Sequence, residues 1–81
     1  LVPYPQELRN VHVEHKIPFE ENAEIADAVA RIEEGLEGRG RVLLRYSGTE
    51  ALCRVMVEGQ DADKVRVYAN ELAGIVEKAL G

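Results

Sequence analysis

The sequence lacks two features that would restrict its environment, a pair of cysteines and a long apolar run. Cys53 is its single cysteine, so no intramolecular disulfide can form and the fold does not depend on an oxidising compartment. No stretch approaches the roughly 18 consecutive apolar residues that a membrane helix requires. We therefore expect a cytoplasmic protein that has no membrane partner.

The sequence also lacks the features of a leader peptide. It begins with the letters LVPYP, without Met and without the basic and then apolar stretches of a secretory signal. We expect residues 1–81 to be a single domain cut from a longer protein, because 81 residues enclose only one modest core. Pro3 and Pro5 fix φ and remove two backbone donors, so residues 1–6 are expected to be a linker or irregular lead-in.

Positive charge is scarce outside one segment. Residues 39–54 contain four arginines and a single acid, Glu50, whereas the rest of the chain contains six basic and fourteen acidic residues. An acidic body argues against nucleic acid as a partner, since nucleic-acid binding needs a continuous basic surface. The guanidinium fork matches carboxylate or phosphate oxygens in pairs, so this arginine patch favours a small anion.

The first half of the chain predicts a strand and then a helix. Residues 8–15 loosely alternate apolar and polar side chains, as a half-buried strand does, and Pro18 follows the end of this strand. Asn22 is the predicted N-cap of an amphipathic helix at 23–34, which the following glycines terminate. Its predicted buried residues are Ile25, Val29, Ile32 and Leu36.

The second half predicts a hairpin and a second helix. Apolar runs at 42–44 and 52–57 flank a loop at 47–50, and Asp61 is the predicted cap of the last helix. The order β-α-β-β-α, with two helices on one face of a small antiparallel or mixed sheet, predicts an α+β fold. The last helix is predicted to bury Val65, Tyr68, Leu72, Ile75 or Val76, and Ala79.

The loop with the letters RYSGTE, which begins at Arg45, is the candidate anion site. Gly48 tolerates positive φ, which would turn successive backbone N–H groups inward as an anion nest. Ser47 and Thr49 would add hydroxyl donors, and Arg45 and Arg54 would add charge-assisted pairs. On the pattern alone, an ordinary turn between strands is an equally good interpretation.

The remaining candidate residues provide no catalytic set. His12 and Glu14 share one strand face while His15 points the other way, so we expect no metal site. Cys53 lies in an apolar run and is interpreted as a small core residue rather than a nucleophile. Glu50 could orient an arginine or meet a sugar hydroxyl, and the residues leave both roles open. We expect no catalytic residue and no cofactor in this chain.

The loop and the strand after it resemble the phosphate-binding signature of the phosphohexomutase superfamily. RYSGTE at 45–50 and RVMVEG at 54–59 are similar to the glucosamine branch, which reads Arg-Lys-Ser-Gly-Thr-Glu-Pro and then Arg-Val-Met-Val-Glu. The mannose and glucose branch usually has Asn where Gly48 stands. The segments 4–11 and 38–43 also resemble phosphoglucosamine mutases, so the likeness covers almost the whole chain.

This resemblance implies the C-terminal, fourth domain of an isomerase, with a TATA-box-binding-protein-like fold. Phosphoglucosamine mutases interconvert glucosamine 6-phosphate and glucosamine 1-phosphate through a bisphosphorylated sugar, for amino-sugar and cell-wall precursor synthesis. Their first domain carries a phosphoserine and Mg²⁺, and their last domain holds the phosphate that is not reacting. The implied partners are a phosphosugar and the preceding domains. The implied phosphate ligands are Arg45, Ser47, Gly48, Thr49 and Arg54.

Two residues depart from the family pattern. Ala51 stands where proline is common, so the end of the loop loses a fixed φ. Tyr46 stands where lysine is common, so a nearby positive charge is missing. We expect both departures to affect the tightness of phosphate binding rather than its existence. The alternative interpretations are the same domain of a phosphomannomutase or phosphoglucomutase, and a free-standing anion-binding module.

Overall fold

A computed structural model describes residues 4–81 of the chain. The predicted element order and the α+β class are confirmed, with one additional 3-10 turn. Residues 1–3, half of the expected lead-in, lie outside the described residues. The elements are β1 (Gln6–His12), the 3-10 turn (Phe19–Glu21), α1 (Ala23–Gly35), β2 (Gly40–Tyr46), β3 (Leu52–Gly59) and α2 (Ala62–Leu80).

The three strands form one antiparallel sheet in the order β1-β3-β2, so β3 is central. Side chains alternate between its two faces, and Val11, Val42 and Val55 lie in the core that the sheet forms with both helices. The opposite face is open. On it Leu8 and Leu43 flank the buried Met56 in register, and both leucines are exposed.

Side-chain caps begin both helices as the sequence predicts. The Asn22 side chain accepts a hydrogen bond from the Ile25 N–H at 3.0 Å, and Asp61 accepts from the second and third residues after it. Along α2 the buried stripe is shifted from the predicted one, because Tyr68 and Ala79 are only partly buried. The fully buried residues of α2 are Val65, Ala69, Leu72, Val76 and Leu80.

The strand predicted at 8–15 was placed too late and made too long. It begins at Gln6 and ends at His12, because the chain then leaves the sheet ladder and crosses to the end of α2. There the N–H groups of Glu14 and His15 both donate to the carbonyl oxygen of Leu80, at 2.7 and 3.3 Å. This crossing segment passes beside the loop that joins β2 to β3, and the N–H of Val13 donates to the loop carbonyl oxygen of Ala51.

The two ends of the sheet differ in character. At one end Gly40 pairs with Gly59, and a Cβ added to Gly40 would lie 2.1 Å from the carbonyl oxygen of Glu58. At the other end the loop 47–51 joins β2 to β3. The seven residues of β2 separate the ends by roughly 20 Å. Among residues 4–81, neither helix combines the length and apolarity that crossing a membrane would require.

Candidate functional site

The loop between β2 and β3 is folded around the side chain of Ser47. Its hydroxyl oxygen accepts hydrogen bonds from the N–H groups of Thr49 and Glu50, at 3.3 and 3.1 Å. The Ser47 N–H donates to the carbonyl oxygen of Leu52 at 2.9 Å and closes the loop. A hydroxyl that accepts two bonds still has its own hydrogen to donate, so Ser47 can both shape the loop and bind an anion.

The expectation of positive φ at Gly48 was wrong. Among residues 4–81 only Glu37 and Gly38 have positive φ, at 55° and 72°. The serine side chain turns the loop instead, and it uses two of the backbone N–H groups that an anion nest would have required. No described atom lies within 4 Å of a Cβ added to Gly48, so the glycine leaves this part of the loop surface uncovered.

Arg45 and Arg54 are direct partners in the β2–β3 register. Both lie on the open face of the sheet and both are exposed. Like charges directly opposite each other on neighbouring strands are destabilising. Among residues 4–81 neither arginine makes an ion pair or a side-chain hydrogen bond, although acids outnumber bases fifteen to ten in the chain. The pair is therefore a concentrated, uncompensated positive charge.

The other two arginines of the basic segment lie at the far end of the sheet. The Arg41 side chain is 3.4 Å from a carboxylate oxygen of Glu58, and Arg39 donates to the Gln60 side chain at 3.2 Å. The structure thus separates the four clustered arginines into two pairs. Only the pair nearer the loop lacks partners within the described part of the chain.

All five residues that the sequence nominated line one concavity of about 350 Å³ at this end of the sheet. Tyr46 is the sixth lining residue. Glu50 is not part of the lining, and among residues 4–81 its carboxylate makes no ion pair with an arginine. The nominated residues in the wall are Arg45, Ser47, Gly48, Thr49 and Arg54.

Sequence reasoning missed the residues that support this loop from the segment after β1. The ammonium of Lys16 donates to the carbonyl oxygen of Ser47 at 2.7 Å, and the Tyr46 hydroxyl donates to the carbonyl oxygen of Ile17 at 2.5 Å. The Tyr46 ring stacks on Phe19 with centroids 4.5 Å apart. Burial raises the pKa of the Tyr46 hydroxyl. About thirty residues separate these partners along the chain, so no local pattern could reveal them.

The end of the loop is also held in place. Val13 donates its N–H to the carbonyl oxygen of Ala51 at 2.9 Å, next to the ladder bond between Ser47 and Leu52. A proline at position 51 would restrict φ there, and in this chain two backbone hydrogen bonds restrain the same stretch. The hydrogen bond from the segment after β1 thus restrains the end of the loop at Ala51, where the family commonly has proline.

The remaining sequence candidates take no part in the site. Cys53 is fully buried, and burial raises the pKa of its thiol, so it is the core residue that the sequence predicts. His12, Glu14 and His15 do not assemble a ligand set. Within residues 4–81 no three histidine, cysteine, aspartate or glutamate side chains are grouped closely enough to hold a metal ion.

Comparison with known protein families shows the family to which this chain belongs. A family model for the C-terminal domain of phosphoglucomutases and phosphomannomutases matches residues 8–75, most of the chain. The chain belongs to this family. The matched range contains both strands that carry the loop and all five nominated residues.

Curated relatives narrow the similarity within that family. The chain is 64% identical over 80 residues to a phosphoglucosamine mutase of Desulfovibrio desulfuricans, covering 99% of the chain and 18% of the relative. It is 57% identical over 77 residues to a phosphoglucosamine mutase of Lawsonia intracellularis, covering 95% of the chain and 17% of the relative. The chain therefore spans less than a fifth of the length of these relatives.

Solved structures show the same fold at low sequence identity. The N-acetylphosphoglucosamine mutase of Aspergillus fumigatus, solved with GlcNAc-6P and magnesium, superposes with a TM-score of 0.68 at 24% identity. That match covers 96% of this chain and 16% of the other. An N-acetylglucosamine-phosphate mutase in its substrate complex gives a TM-score of 0.69 at 23% identity, covering 90% and 15% of the two chains. The α+β domain is thus a phosphohexomutase domain in architecture.

Proposed function

We propose that this chain is the substrate-phosphate-binding domain of a phosphoglucosamine mutase. The observation that carries the proposal is the pair Arg45 and Arg54, which stand opposite each other without a described partner beside a loop of hydroxyl donors. The identity of 57–64% to enzymes named phosphoglucosamine mutase supports the choice of substrate class. Gly48 supports it as well, since Asn is usual at this position in the mannose and glucose branch.

A phosphate would convert the repulsion between the two arginines into two attractions. Each guanidinium can donate two parallel N–H bonds to phosphate oxygens, and hydrogen bonds to charged groups contribute about 1.5–3 kcal/mol each. Ser47 and Thr49 would donate their hydroxyl hydrogens from the loop side. Because the concavity is open to water, the net free energy of binding by this chain alone is expected to be small.

The proposed role in the whole enzyme is to hold the phosphate group that is not reacting. The proposed reaction interconverts glucosamine 6-phosphate and glucosamine 1-phosphate through a bisphosphorylated sugar, in the cytoplasm, as a step towards cell-wall amino sugars. Within residues 4–81 the structure groups no three His, Cys, Asp or Glu side chains that could together hold a metal ion. In this proposal the metal and the phosphoryl-transferring residue belong to other domains of the enzyme.

Phosphate titration of the 81-residue chain, followed by amide chemical shifts in NMR spectra, tests the proposed site. We expect Kd on the order of 1 mM, about −4 kcal/mol, with shift changes concentrated at residues 45–54. Arg45→Ala should weaken binding by tenfold or more. Arg39→Ala is the matched control, because it removes the same charge from the far end of the sheet, where Arg39 bonds to Gln60.

Equal losses in the Arg39→Ala and Arg45→Ala variants would mean that phosphate responds only to general electrostatic attraction. Shift changes confined to the first turns of α1 and α2 would place the anion at the helix N-termini, which are the natural competing sites. Either result would reject the loop as the phosphate site.

A further inference from the structure

The segment after β1 places a third cation at the loop. Lys16 is exposed, and its ammonium donates to the carbonyl oxygen of Ser47 at 2.7 Å. The hydroxyl oxygen of the same serine accepts hydrogen bonds from the N–H groups of Thr49 and Glu50. Lys16 therefore contacts the loop through Ser47, which lines the concavity, although Lys16 is not itself one of the lining residues.

This ammonium has donors to spare. Lysine carries three N–H donors and no acceptor, and the bond to Ser47 uses one of them. Among residues 4–81 no carboxylate lies within ion-pairing distance of Lys16. The charge is therefore uncompensated within the described part of the chain, as the charges of Arg45 and Arg54 are.

Loop support alone does not account for this arrangement well. Ordering a lysine side chain costs up to about 2 kcal/mol of rotamer entropy, whereas a solvent-exposed hydrogen bond to a backbone carbonyl returns about 1 kcal/mol. Two other contacts already tie this segment to the loop region, from Tyr46 to Ile17 and from Val13 to Ala51. A lysine at position 16 is thus better explained by its charge than by its contribution to stability.

We propose that Lys16 is a further phosphate-binding residue of this site, with its ammonium positioned by the Ser47 carbonyl oxygen. This inference rests on the proposed phosphate-binding function. It differs from that function by adding a cation from outside the loop, which no sequence pattern indicates. One unit charge about 4 Å from an anion in water changes binding by roughly fivefold, which sets the size of the expected effect.

The test compares three variants of the 81-residue chain in titrations with inorganic phosphate, at about 20 mM and at about 500 mM NaCl. Lys16→Gln removes the charge and Lys16→Arg keeps it. Lys64→Gln removes an equal charge at the opposite end of the sheet, where Lys64 lies beside Arg39 and Gln60. At low salt we expect Kd to rise roughly fivefold for Lys16→Gln and less than twofold for the other two variants. The difference between Lys16→Gln and the unaltered chain should shrink at high salt.

The outcomes separate this inference from the function on which it rests. If Arg45→Ala weakens phosphate binding while Lys16→Gln does not, the phosphate site stands and the role of Lys16 is rejected. If Lys16→Gln and Lys16→Arg weaken binding equally at both salt concentrations, the side chain acts through its shape, which also rejects the charge-based role. If the unaltered chain shows no phosphate binding at the loop, the proposed function itself fails. A urea denaturation curve for each variant shows that the fold is retained.

Discussion

Replacing Arg54 with glutamine should stabilise the ligand-free protein. Arg45 and Arg54 are register partners on one face of the sheet, and neither has an acidic partner among residues 4–81. The net charge of the chain is −5, so removing a positive charge would in general be unfavourable. Only local repulsion between the two arginines reverses that sign. Arg54→Gln keeps most of the side-chain length and removes the charge.

The size of the gain follows from the register. Side chains directly opposite each other on antiparallel strands have Cβ atoms about 4.5–5.5 Å apart, and mobile guanidinium groups separate a little further. Two unit charges about 6 Å apart in water repel by about 0.7 kcal/mol. For a domain of this size that corresponds to a rise of about 3–5 °C in Tm. At 1 M salt the Debye length is about 3 Å, so the gain should almost disappear.

Thermal and urea denaturation at about 10 mM and 1 M NaCl measure this effect. The double-mutant cycle with Arg45→Gln isolates the pair, because the second replacement should bring no further gain once the first has removed the repulsion. Addition of about 10 mM phosphate should reverse the order of stability at matched ionic strength. With Kd near 1 mM the unaltered protein gains about 1.4 kcal/mol, and the variant gains little.

Two results would refute this reasoning. A less stable Arg54→Gln protein at low salt would show that Arg54 makes a favourable contact in the absence of phosphate. A gain that persists at 1 M salt would show that it does not come from charge. In either case the arginine pair would no longer support an anion-binding site, because its two charges would not be uncompensated in the ligand-free protein. The matched control is Arg39→Gln, which has the same effect on net charge and should not stabilise the protein.

Three further predictions concern the core, the backbone and catalysis. Gly74→Ala should stabilise α2 by about 0.5–1 kcal/mol, since a Cβ at position 74 meets no atom within 4 Å. Gly40→Ala should lower the free energy of unfolding by about 2 kcal/mol or more, because its Cβ would clash with the backbone of Glu58. Urea unfolding measures both changes. The free energy of unfolding should fall above about pH 9, because burial raises the pKa of the Cys53 thiol above its ordinary value of 9.0 and the unfolded chain ionises first; Cys53→Ala should flatten this dependence. A coupled assay with glucosamine 6-phosphate, Mg²⁺ and a sugar bisphosphate should detect no turnover by the 81-residue chain, and activity that co-purifies with it would contradict the proposed division of roles.

Local sequence signals predict most of the fold. Asn22 and Asp61 cap the two helices as expected, because an N-cap depends on side chains only two or three residues away. The hairpin loop is likewise marked by Ser47 and Gly48 between two apolar runs. The end of β1 was misplaced because it depends on a distant partner, the carbonyl of Leu80, which draws the chain out of the sheet.

Local sequence signals predict only part of the candidate site. The motif nominated the loop residues, and the structure places them around one concavity. The motif did not show that Arg45 and Arg54 are register partners, because register depends on how many residues the loop holds and how the loop closes. The contact between Lys16 and the loop could not be predicted at all, since nothing at positions 14–18 indicates a bond to a residue 31 positions later.

The ion pairs of this chain make the arginine arrangement informative. Acids exceed bases by five, so a randomly placed arginine has a good chance of meeting a carboxylate. Four of the seven arginines do, and Arg39 bonds to the amide oxygen of Gln60. Arg45 and Arg54 are the two that have neither kind of partner within residues 4–81, and they are the two that face each other. Because two like charges in register are expected to lower stability, the arrangement calls for a reason outside the ligand-free fold, and we propose that an anion at the loop is that reason.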